Sequence, residues 1–449
     1  MIIKIQRIAQ MLRNMHFQSL IANGMMAVFG MITLSILYRS LSVVDIGIYI
    51  FFLALIGLQD TLRAGFLTIT IVKFFSGTEK KRENEVAGSG WALSLMISGV
   101  LLILNAPAFF LSNRIDDQGF SLFLKYFGLI SIITLPSFMA DCVVQASKRF
   151  DRLLWMRIVN QGSYTITILA LAYFEKLTLE SVLYTYLLSN TFSSLIVMAL
   201  NWGIVSSLRH ARLDTMKEMF HFGKYSLGTN ISSNLFSVTN TLVINFLIGP
   251  AALAMYNLGG KLLQIIEIPL LSFAATGMPL LSSHYNKGEN EQMMYTLKKL
   301  VGILTIALIP VVIFAIIFAG PLIHLVGGKS YVDNEAPNLF RIFLLIALLY
   351  PADRFFALAI DVIHLPKINF YKIIGMLIVN IIAVFVAMGI YHSIYSIAIA
   401  SIVPTLVAIL ITYFPLNNFQ KFNFLSIYRV GLSEGLLLVK QTLKSFRVQ

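Results

Sequence analysis

Residues 46–75 read IGIYIFFLALIGLQDTLRAGFLTITIVKFF, and this stretch decides the fold. Residues 46–59 carry no charge, and the charged side chains that follow are Asp60, Arg63 and Lys73. About 20 consecutive apolar residues are enough for an α-helix to cross the hydrocarbon core of a bilayer. We therefore expect a transmembrane helix here, with Asp60 and Arg63 deep within it.

Eleven similar apolar segments flank this one. The chain of 449 residues is 57% hydrophobic and 12% charged, with a mean hydropathy of +0.80. Soluble domains carry about 25% charged residues, so a soluble enzyme, a disordered protein and a secreted disulfide scaffold are excluded. We predict an all-α polytopic membrane protein with about twelve transmembrane helices, at 17–38, 46–75, 87–111, 120–142, 153–174, 181–203, 220–248, 253–281, 293–320, 336–363, 370–391 and 394–415.

The basic residues between these spans predict the orientation. With the N-terminus inside, the inner segments hold 22 Lys and Arg residues and the outer loops hold 4. Cytoplasmic loops carry the excess of positive charge, so both termini are expected inside. The net charge of +13 is then explained by topology and anionic lipids, and no nucleic-acid partner is expected.

Four regions follow from this topology. Residues 1–16 are expected to form an interfacial amphipathic helix, and 421–449 a cytoplasmic amphipathic tail. Between them we expect an N-terminal six-helix lobe at 17–212 and a C-terminal six-helix lobe at 213–420. Asn23 precedes Tyr49 by 26 residues, as Asn230 precedes Tyr256, and the fourth span of each half contains a proline. A duplicated, pseudo-symmetric pair of bundles explains this; chance similarity between apolar segments is the alternative.

Thirteen charged residues fall within the predicted spans, and they point most directly to function. Each costs about 3 kcal/mol at a helix centre, so most must pair, extend to an interface or line a wet cavity. Interfacial positions are expected for Lys125, Arg157, Lys372, Arg341 and Asp361. Cavity positions are expected for Asp60, Arg63, Lys261, Glu267, Asp353 and Arg354. Asp60 and Arg63 are three residues apart and can meet on one helix face.

The seventh span is too polar for a helix that faces lipid. Its amides include Asn230 and Asn234, and Lys224 lies at its start. A hydrated wall is the functional interpretation, and a close helix-packing face is the structural one. With Lys224 and Arg39 added, the interior is cationic and favours an anionic group such as a phosphate.

Several motifs together resemble one family. They are LYRSLSVVDIGIY at 37–49, DTLRAG at 60–65, FGKYSL at 222–227, IGPAALAMYN at 248–257 with Lys261, and LVGGKSY at 325–331. Their order and spacing resemble the Wzx-like polysaccharide flippases of the MOP exporter superfamily, which also contains the MATE exporters. The resemblance extends to about residue 415.

The resemblance implies a flippase for an undecaprenyl-diphosphate-linked oligosaccharide, moved from the inner to the outer leaflet of the bacterial inner membrane by alternating access. It implies coupling to protons or sodium, membrane lipids as partners, and a link to polysaccharide polymerases, for glycans such as the O-antigen of lipopolysaccharide. We expect substrate contacts from Arg39, Arg63, Lys224, Asn230, Asn234, Lys261 and Arg354. Ion coupling is expected at Asp60, Glu267 and Asp353.

Two other functions remain open at this stage. A MATE-type antiporter for cations or drugs would share the fold but use an acidic cavity. A glycan polymerase or glycosyltransferase would be an enzyme, and it would need larger outer domains than these loops provide. The sequence has no spacing of Cys and His typical of a metal site and no catalytic motif, so neither a cofactor nor enzymatic activity is expected.

Overall fold

The computed structural model describes the backbone of residues 15–447 and the side chains of these residues other than 15–24, 27, 225–226, 229, 275 and 438–447. The expected helix at 1–16 therefore lies outside the described residues, apart from its last two positions. The described chain is helical, without a β-strand. Its first six helices are α1 Met15–Ser40, α2 Val43–Phe75, α3 Lys80–Ser112, α4 Gln118–Ala146, α5 Phe150–Tyr173 and α6 Leu179–Ala199. The next ten are α7 Leu213–Leu247, α8 Pro250–Asn286, α9 Asn290–Ile317, α10 Ala319–Gly327, α11 Ala336–Ala347, α12 Tyr350–Val362, α13 Pro366–Tyr391, α14 Ile394–Ala400, α15 Ile402–Phe419 and α16 Ser426–Arg447.

Every predicted span has a helix or a helix pair. Within the described residues, eight helical segments are long and apolar enough to cross a membrane by themselves. The pair α11 and α12 raises this number to nine; it bends by 40° and together covers the tenth predicted span. Helices α1, α5 and α7, which cover the first, fifth and seventh predicted spans, are not among the nine. The chain is therefore a multi-pass, all-α membrane protein, and about twelve spans agree with its helices.

Two compact units divide the chain, Met1–Val238 and Thr239–Gln449. The division falls inside α7, whereas the predicted lobe boundary at 212/213 coincides with the start of that helix. The N-terminal unit contains α1 to α6 and most of α7. The C-terminal unit contains the end of α7 and the helices that follow.

Close helix contacts hold the N-terminal unit together. One buried apolar cluster of this unit joins α2, α3 and α4 and includes Phe66, Ile71 and Met139. A Cβ added at Gly128 of α4 would lie 2.6 Å from Cβ of Asn105 on α3, so only glycine permits this spacing. Small residues at such crossings let helices approach closely when lipid offers no hydrophobic driving force.

The tenth span of the chain is broken into α11 and α12, whereas the fourth span, α4, is continuous. Pro136 lies inside the unbroken α4, whereas Pro351 occupies the first turn of α12, directly after the bend. Proline fits a first turn because its nitrogen has no hydrogen to leave unpaired there. The aromatic rings of Phe355 and Phe356 are fully buried and anchor α12 in the core of this unit.

The tail is a helix that packs on α9. Gly302 of α9 and Gly431 of α16 meet backbone to backbone, and a Cβ on either would clash with the other helix. Lys299 forms an ion pair with Glu434, which also accepts a hydrogen bond from Tyr295 Oη at 2.7 Å. The tail therefore has a defined docking face. Whether it also lies at a membrane surface stays a prediction.

Candidate functional site

A polar cavity of about 310 Å³ lies within the N-terminal unit. Helices α2, α4, α5 and α6 supply most of its walls, and α1 adds Met26. Its lining residues are Asp60, Arg63 and Ala64 on α2; Thr134, Ser137, Phe138 and Asp141 on α4; Met156, Arg157 and Asn160 on α5; and Tyr186, Asn190 and Ser193 on α6. Four charged side chains thus share one small cavity, and their formal charges cancel.

Arg63 is fixed in one orientation. Its Nη1 donates to Ser131 O at 2.9 Å, and its Nη2 donates to Asp60 Oδ1 at 3.0 Å and to Thr134 Oγ1 at 2.9 Å. The guanidinium carbon lies 4.5 Å from the ring centroid of Phe138, a cation–π distance. The residue is 3% exposed, and its Nε has no hydrogen-bond partner in the protein. An unpaired buried donor is costly, so this N–H is suited to a water or to an acceptor on a ligand.

Asp60 is the exposed member of this ion pair. The side chain of Asp60 is 38% exposed, against 4% for Arg63. The sequence-based prediction that the two residues meet on one helix face is confirmed. Because one carboxylate oxygen is engaged by Arg63, the other is available to the cavity.

A second pair of opposite charges lies in the same cavity. Gln145 Nε2 donates to Asp141 Oδ2 at 2.6 Å, and Arg157 interacts electrostatically with the same carboxylate. Arg157 is not at the interface that its place near a span end predicts; it lines the cavity and interacts with Asp141 of α4. Asp141, with Asp60 and Asp353, is one of the acidic residues on which the MATE-type alternative depends.

Hydroxyl and amide groups complete the wall and were missed by the sequence analysis. Ser137 Oγ lies 2.9 Å from Ser194 Oγ, and Asn160 Nδ2 donates to Asn190 Oδ1 at 3.2 Å. A signal for them exists in the spacing of residues 134, 137 and 141 and of 186, 190 and 193. Steps of three and four place such residues on one helix face.

The other predicted site residues of this unit do not line the cavity. Arg39 is exposed at the end of α1, and Lys224 is exposed about three turns into α7. Asn230 packs against Gly65, where an added Cβ would lie 2.7 Å from Cβ of Asn230. Asn234 Nδ2 donates to the backbone oxygen of Asn230 at 3.1 Å. The close-packing interpretation of the seventh span therefore holds at Asn230, and a role in substrate contact stays a prediction for all four.

Charges of the C-terminal unit form a looser group. Lys261 on α8 and Arg354 on α12 are exposed, and both interact electrostatically with the half-buried Glu267. Lys372 Nζ on α13 donates to Asp353 Oδ1 at 2.9 Å, and Lys372 is only 7% exposed. The expectation that Lys372 extends to an interface is wrong, because a carboxylate lies within reach inside the unit. Asp353 and Arg354 contact different partners, as their adjacency on a helix predicts.

An amide network links three helices of the same unit. Asn240 Nδ2 donates to Tyr256 Oη at 2.9 Å, and Asn380 Nδ2 donates to Asn240 Oδ1 at 3.0 Å. Asn380 is 1% exposed, and its Oδ1 has no partner within the protein. Among the residues that the structure describes, no group of three or more His, Cys, Asp or Glu side chains could hold a metal ion.

Solved structures share this fold. An inward-facing conformation of a multidrug resistance MATE family transporter of the MOP superfamily matches with a TM-score of 0.72 and 14% identity, over 90% of this chain and 95% of that one. The lipid II flippase MurJ in an inward closed conformation matches with a TM-score of 0.70 and 14% identity, over 95% of this chain and 92% of that one. Identities this low show the fold alone. No curated protein matches the sequence significantly.

The family is shown by the sequence itself. A family model described as polysaccharide biosynthesis protein matches residues 36–335, which is two thirds of the chain. This match includes α2 to α6 and all the charged residues of the polar cavity. The chain therefore belongs to this family of polysaccharide biosynthesis proteins, and its fold is that of the MOP superfamily.

Proposed function

We propose that this protein flips an undecaprenyl-diphosphate-linked oligosaccharide from the inner to the outer leaflet of the bacterial cytoplasmic membrane by alternating access, coupled to a proton or sodium gradient. The observation that carries the proposal is the fixed, buried guanidinium of Arg63 at the wall of a polar cavity. The Nε–H of Arg63 has no acceptor within the protein and can donate to an anionic head group, and the family and the fold support a transported glycan lipid.

Each site residue predicted from the sequence has a proposed role. Arg63 contacts the diphosphate, and the exposed Arg39, Lys224, Lys261 and Arg354 attract it or contact the sugars. Asn230 and Asn234 supply hydrogen bonds during passage. Asp60, Glu267 and Asp353 carry the coupling ion, since each is a carboxylate beside a cation and a change in its ionisation alters the local charge.

Reconstitution tests the proposal directly. Purified protein in liposomes should move a fluorescent undecaprenyl-diphosphate disaccharide to the opposite leaflet, and an imposed proton or sodium gradient should change the rate. An Arg63→Ala variant should lose the activity, and Lys329→Ala, at an exposed outer position, should retain it. Equal rates in protein-free and wild-type liposomes, with and without gradients, would refute the proposal.

A MATE-type cation antiporter is the second candidate, because Asp60 and Asp141 both line the cavity. Efflux of a lipophilic cation from everted vesicles, abolished by Asp60→Asn together with Asp141→Asn, would support it. Lack of such efflux, with lipid flipping intact, would leave the flippase as the function.

Orientation is also a proposal. Both termini are placed in the cytoplasm and the protein in the inner membrane, as the distribution of basic residues predicts. Single cysteines introduced at Lys329 and at Lys287, in a Cys142→Ala background, should react with an impermeant maleimide from outside and from inside, respectively.

A further inference from the structure

A second cavity, of about 320 Å³, lies on the N-terminal unit between α5 and α6. Apart from Ser193, its lining is apolar: Trp155, Met156, Val159, Ile196, Val197, Leu200 and Trp202. Trp155 is 60% exposed and Leu200 is 51% exposed, so the cavity opens on the outer surface of these helices. In a membrane protein that surface faces lipid, and a hydrocarbon chain is the chemistry that such a lining accepts.

Two residues line both this cavity and the polar cavity. Met156 on α5 and Ser193 on α6 belong to each lining, so the two cavities adjoin at these side chains. Met156 is 6% exposed and Ser193 is 1% exposed. An unbranched methionine is adaptable and a serine is small, so this partition is thin and can yield.

The residues around the apolar cavity are those of a membrane interface. The chain contains three tryptophans, and two of them, Trp155 and Trp202, line the cavity. The guanidinium of Arg152 lies 5.7 Å from the ring centroid of Trp202. Tryptophan rings are enriched at the level of lipid head groups, and in the predicted topology these residues are near the cytoplasmic ends of α5 and α6.

We propose that the two cavities form one continuous site for an amphiphile. The anionic head lies in the polar cavity beside Arg63 and Arg157, and the hydrocarbon chain leaves between Met156 and Ser193 into the apolar cavity. This inference rests on the proposed function, and it assigns the α5–α6 face to the isoprenoid chain of the lipid-linked substrate. A chain held there stays in contact with the inner leaflet while the head is enclosed.

Filling the apolar cavity tests this assignment. Val159→Trp on α5 and Leu200→Trp after α6 place a large ring in the chain site. Ile166→Trp and Leu188→Trp are matched controls on the same two helices, since both residues are strongly exposed and line neither cavity. Binding of two probes with the same diphosphate disaccharide head is measured in detergent, one with a long polyprenyl chain and one with a short, water-soluble prenyl chain.

The expected result is a loss confined to the long probe. Each methylene excluded from an apolar site lowers affinity about fourfold, so both cavity-filling variants should bind the long probe at least about tenfold more weakly. Their affinity for the short probe should equal that of the wild type, as should both affinities of the control variants. Arg63→Ala, which acts on the head, should weaken both probes. Two independent filling positions keep the test decisive if one variant misfolds.

Other results overturn the assignment. If both filling variants bind the long probe as the wild type does, the polyprenyl chain binds at another site. Displacement of the long probe by an anionic phospholipid at equal concentration shows a general lipid site instead. Failure of the proposed function has a different signature, since the wild-type protein would then bind neither probe.

Discussion

The two units place their intramembrane charges in opposite ways. In the N-terminal unit, Asp60, Arg63, Asp141 and Arg157 line one cavity, and Arg63 is held by three hydrogen bonds. In the C-terminal unit, Lys261 and Arg354 are exposed, and the ion pair between Asp353 and Lys372 is the buried one. The difference teaches that the N-terminal unit holds its charges in fixed contacts around one cavity, whereas the C-terminal unit leaves two cations exposed beside Glu267.

The third span of each predicted six-helix lobe shows what the two halves of the chain have in common. Gly88 on α3 lies against the backbone of Ser207, in the segment after α6. Gly302 on α9 lies in the same way against the backbone of α16, the segment after α15. Three residues before each glycine, a charged side chain forms an ion pair with that same segment, Glu85 with Arg212 and Lys299 with Glu434. This correspondence supports a duplicated origin more specifically than the spacing from Asn to Tyr does.

The largest effect is expected from removing the fixed cation of the N-terminal unit. Arg63→Leu should abolish flipping in liposomes, because the anionic head loses its buried contact. It should also lower the free energy of unfolding by about 3 kcal/mol, since Asp60 loses its ion-pair partner and Ser131 O and Thr134 Oγ1 each lose one hydrogen bond. Arg63→Lys keeps the charge but not the fork of donors, so it should recover only part of the activity. Full activity in Arg63→Leu would show that the enclosed charge is structural.

The buried pair of the C-terminal unit should affect stability first. Lys372→Met leaves Asp353 without its partner and should destabilise the protein by about 3 kcal/mol, measured by thermal unfolding in detergent. The double variant Lys372→Met with Asp353→Leu should recover most of that loss, because no buried charge remains. If Asp353 also carries the coupling ion, the stable double variant will flip lipid without responding to an ion gradient. A normal gradient response in it would remove Asp353 from the coupling machinery.

The corresponding glycines should respond alike. Gly88→Ala and Gly302→Ala each place a methyl group against backbone of the segment that follows, and each should cost about 1–3 kcal/mol of unfolding free energy. Gly99→Ala on α3 has open space around it and is the control, with no loss expected. A large effect at Gly88 with none at Gly302 would argue against the shared design.

Exposed cations of the C-terminal unit should act on transport alone. Lys261→Gln and Arg354→Gln should each slow flipping about tenfold and change the unfolding free energy by less than about 0.5 kcal/mol, as exposed substitutions usually do. Lys287→Gln, exposed in the turn after α8, is the matched control. Wild-type flipping rates in both variants would restrict substrate contact to the N-terminal unit.

Sequence reasoning found the spans, the pairing of Asp60 with Arg63 and the unusual polarity of α7, because helical periodicity and the cost of charge in lipid act locally. It did not find the cavity as a unit, since Thr134, Arg157 and Asn190 come together only when α4, α5 and α6 pack. It also misplaced Lys372, whose partner lies 19 positions earlier on another helix. Such pairings depend on which faces of neighbouring helices pack together, and the residue pattern of a single helix does not determine this.

The smallest effect is expected at the tail. There the cation, Lys299, lies on the third span and the acid, Glu434, on the segment that packs on it, the reverse of Glu85 and Arg212. Hydrogen bonds from Lys299 and then Tyr295 lower the pKa of Glu434 below its ordinary value. A lowered carboxyl pKa contributes stability that is present above the ordinary value, about 4.3, and is lost as the pH falls through the folded value. The protection of α16 backbone amides from hydrogen exchange, corrected for intrinsic rates, should therefore be constant from about pH 7 to pH 5. It should fall below about pH 4. In Glu434→Gln the protection should be lower at neutral pH and lack this acid-dependent step; a step of unchanged size would assign the titration to another group.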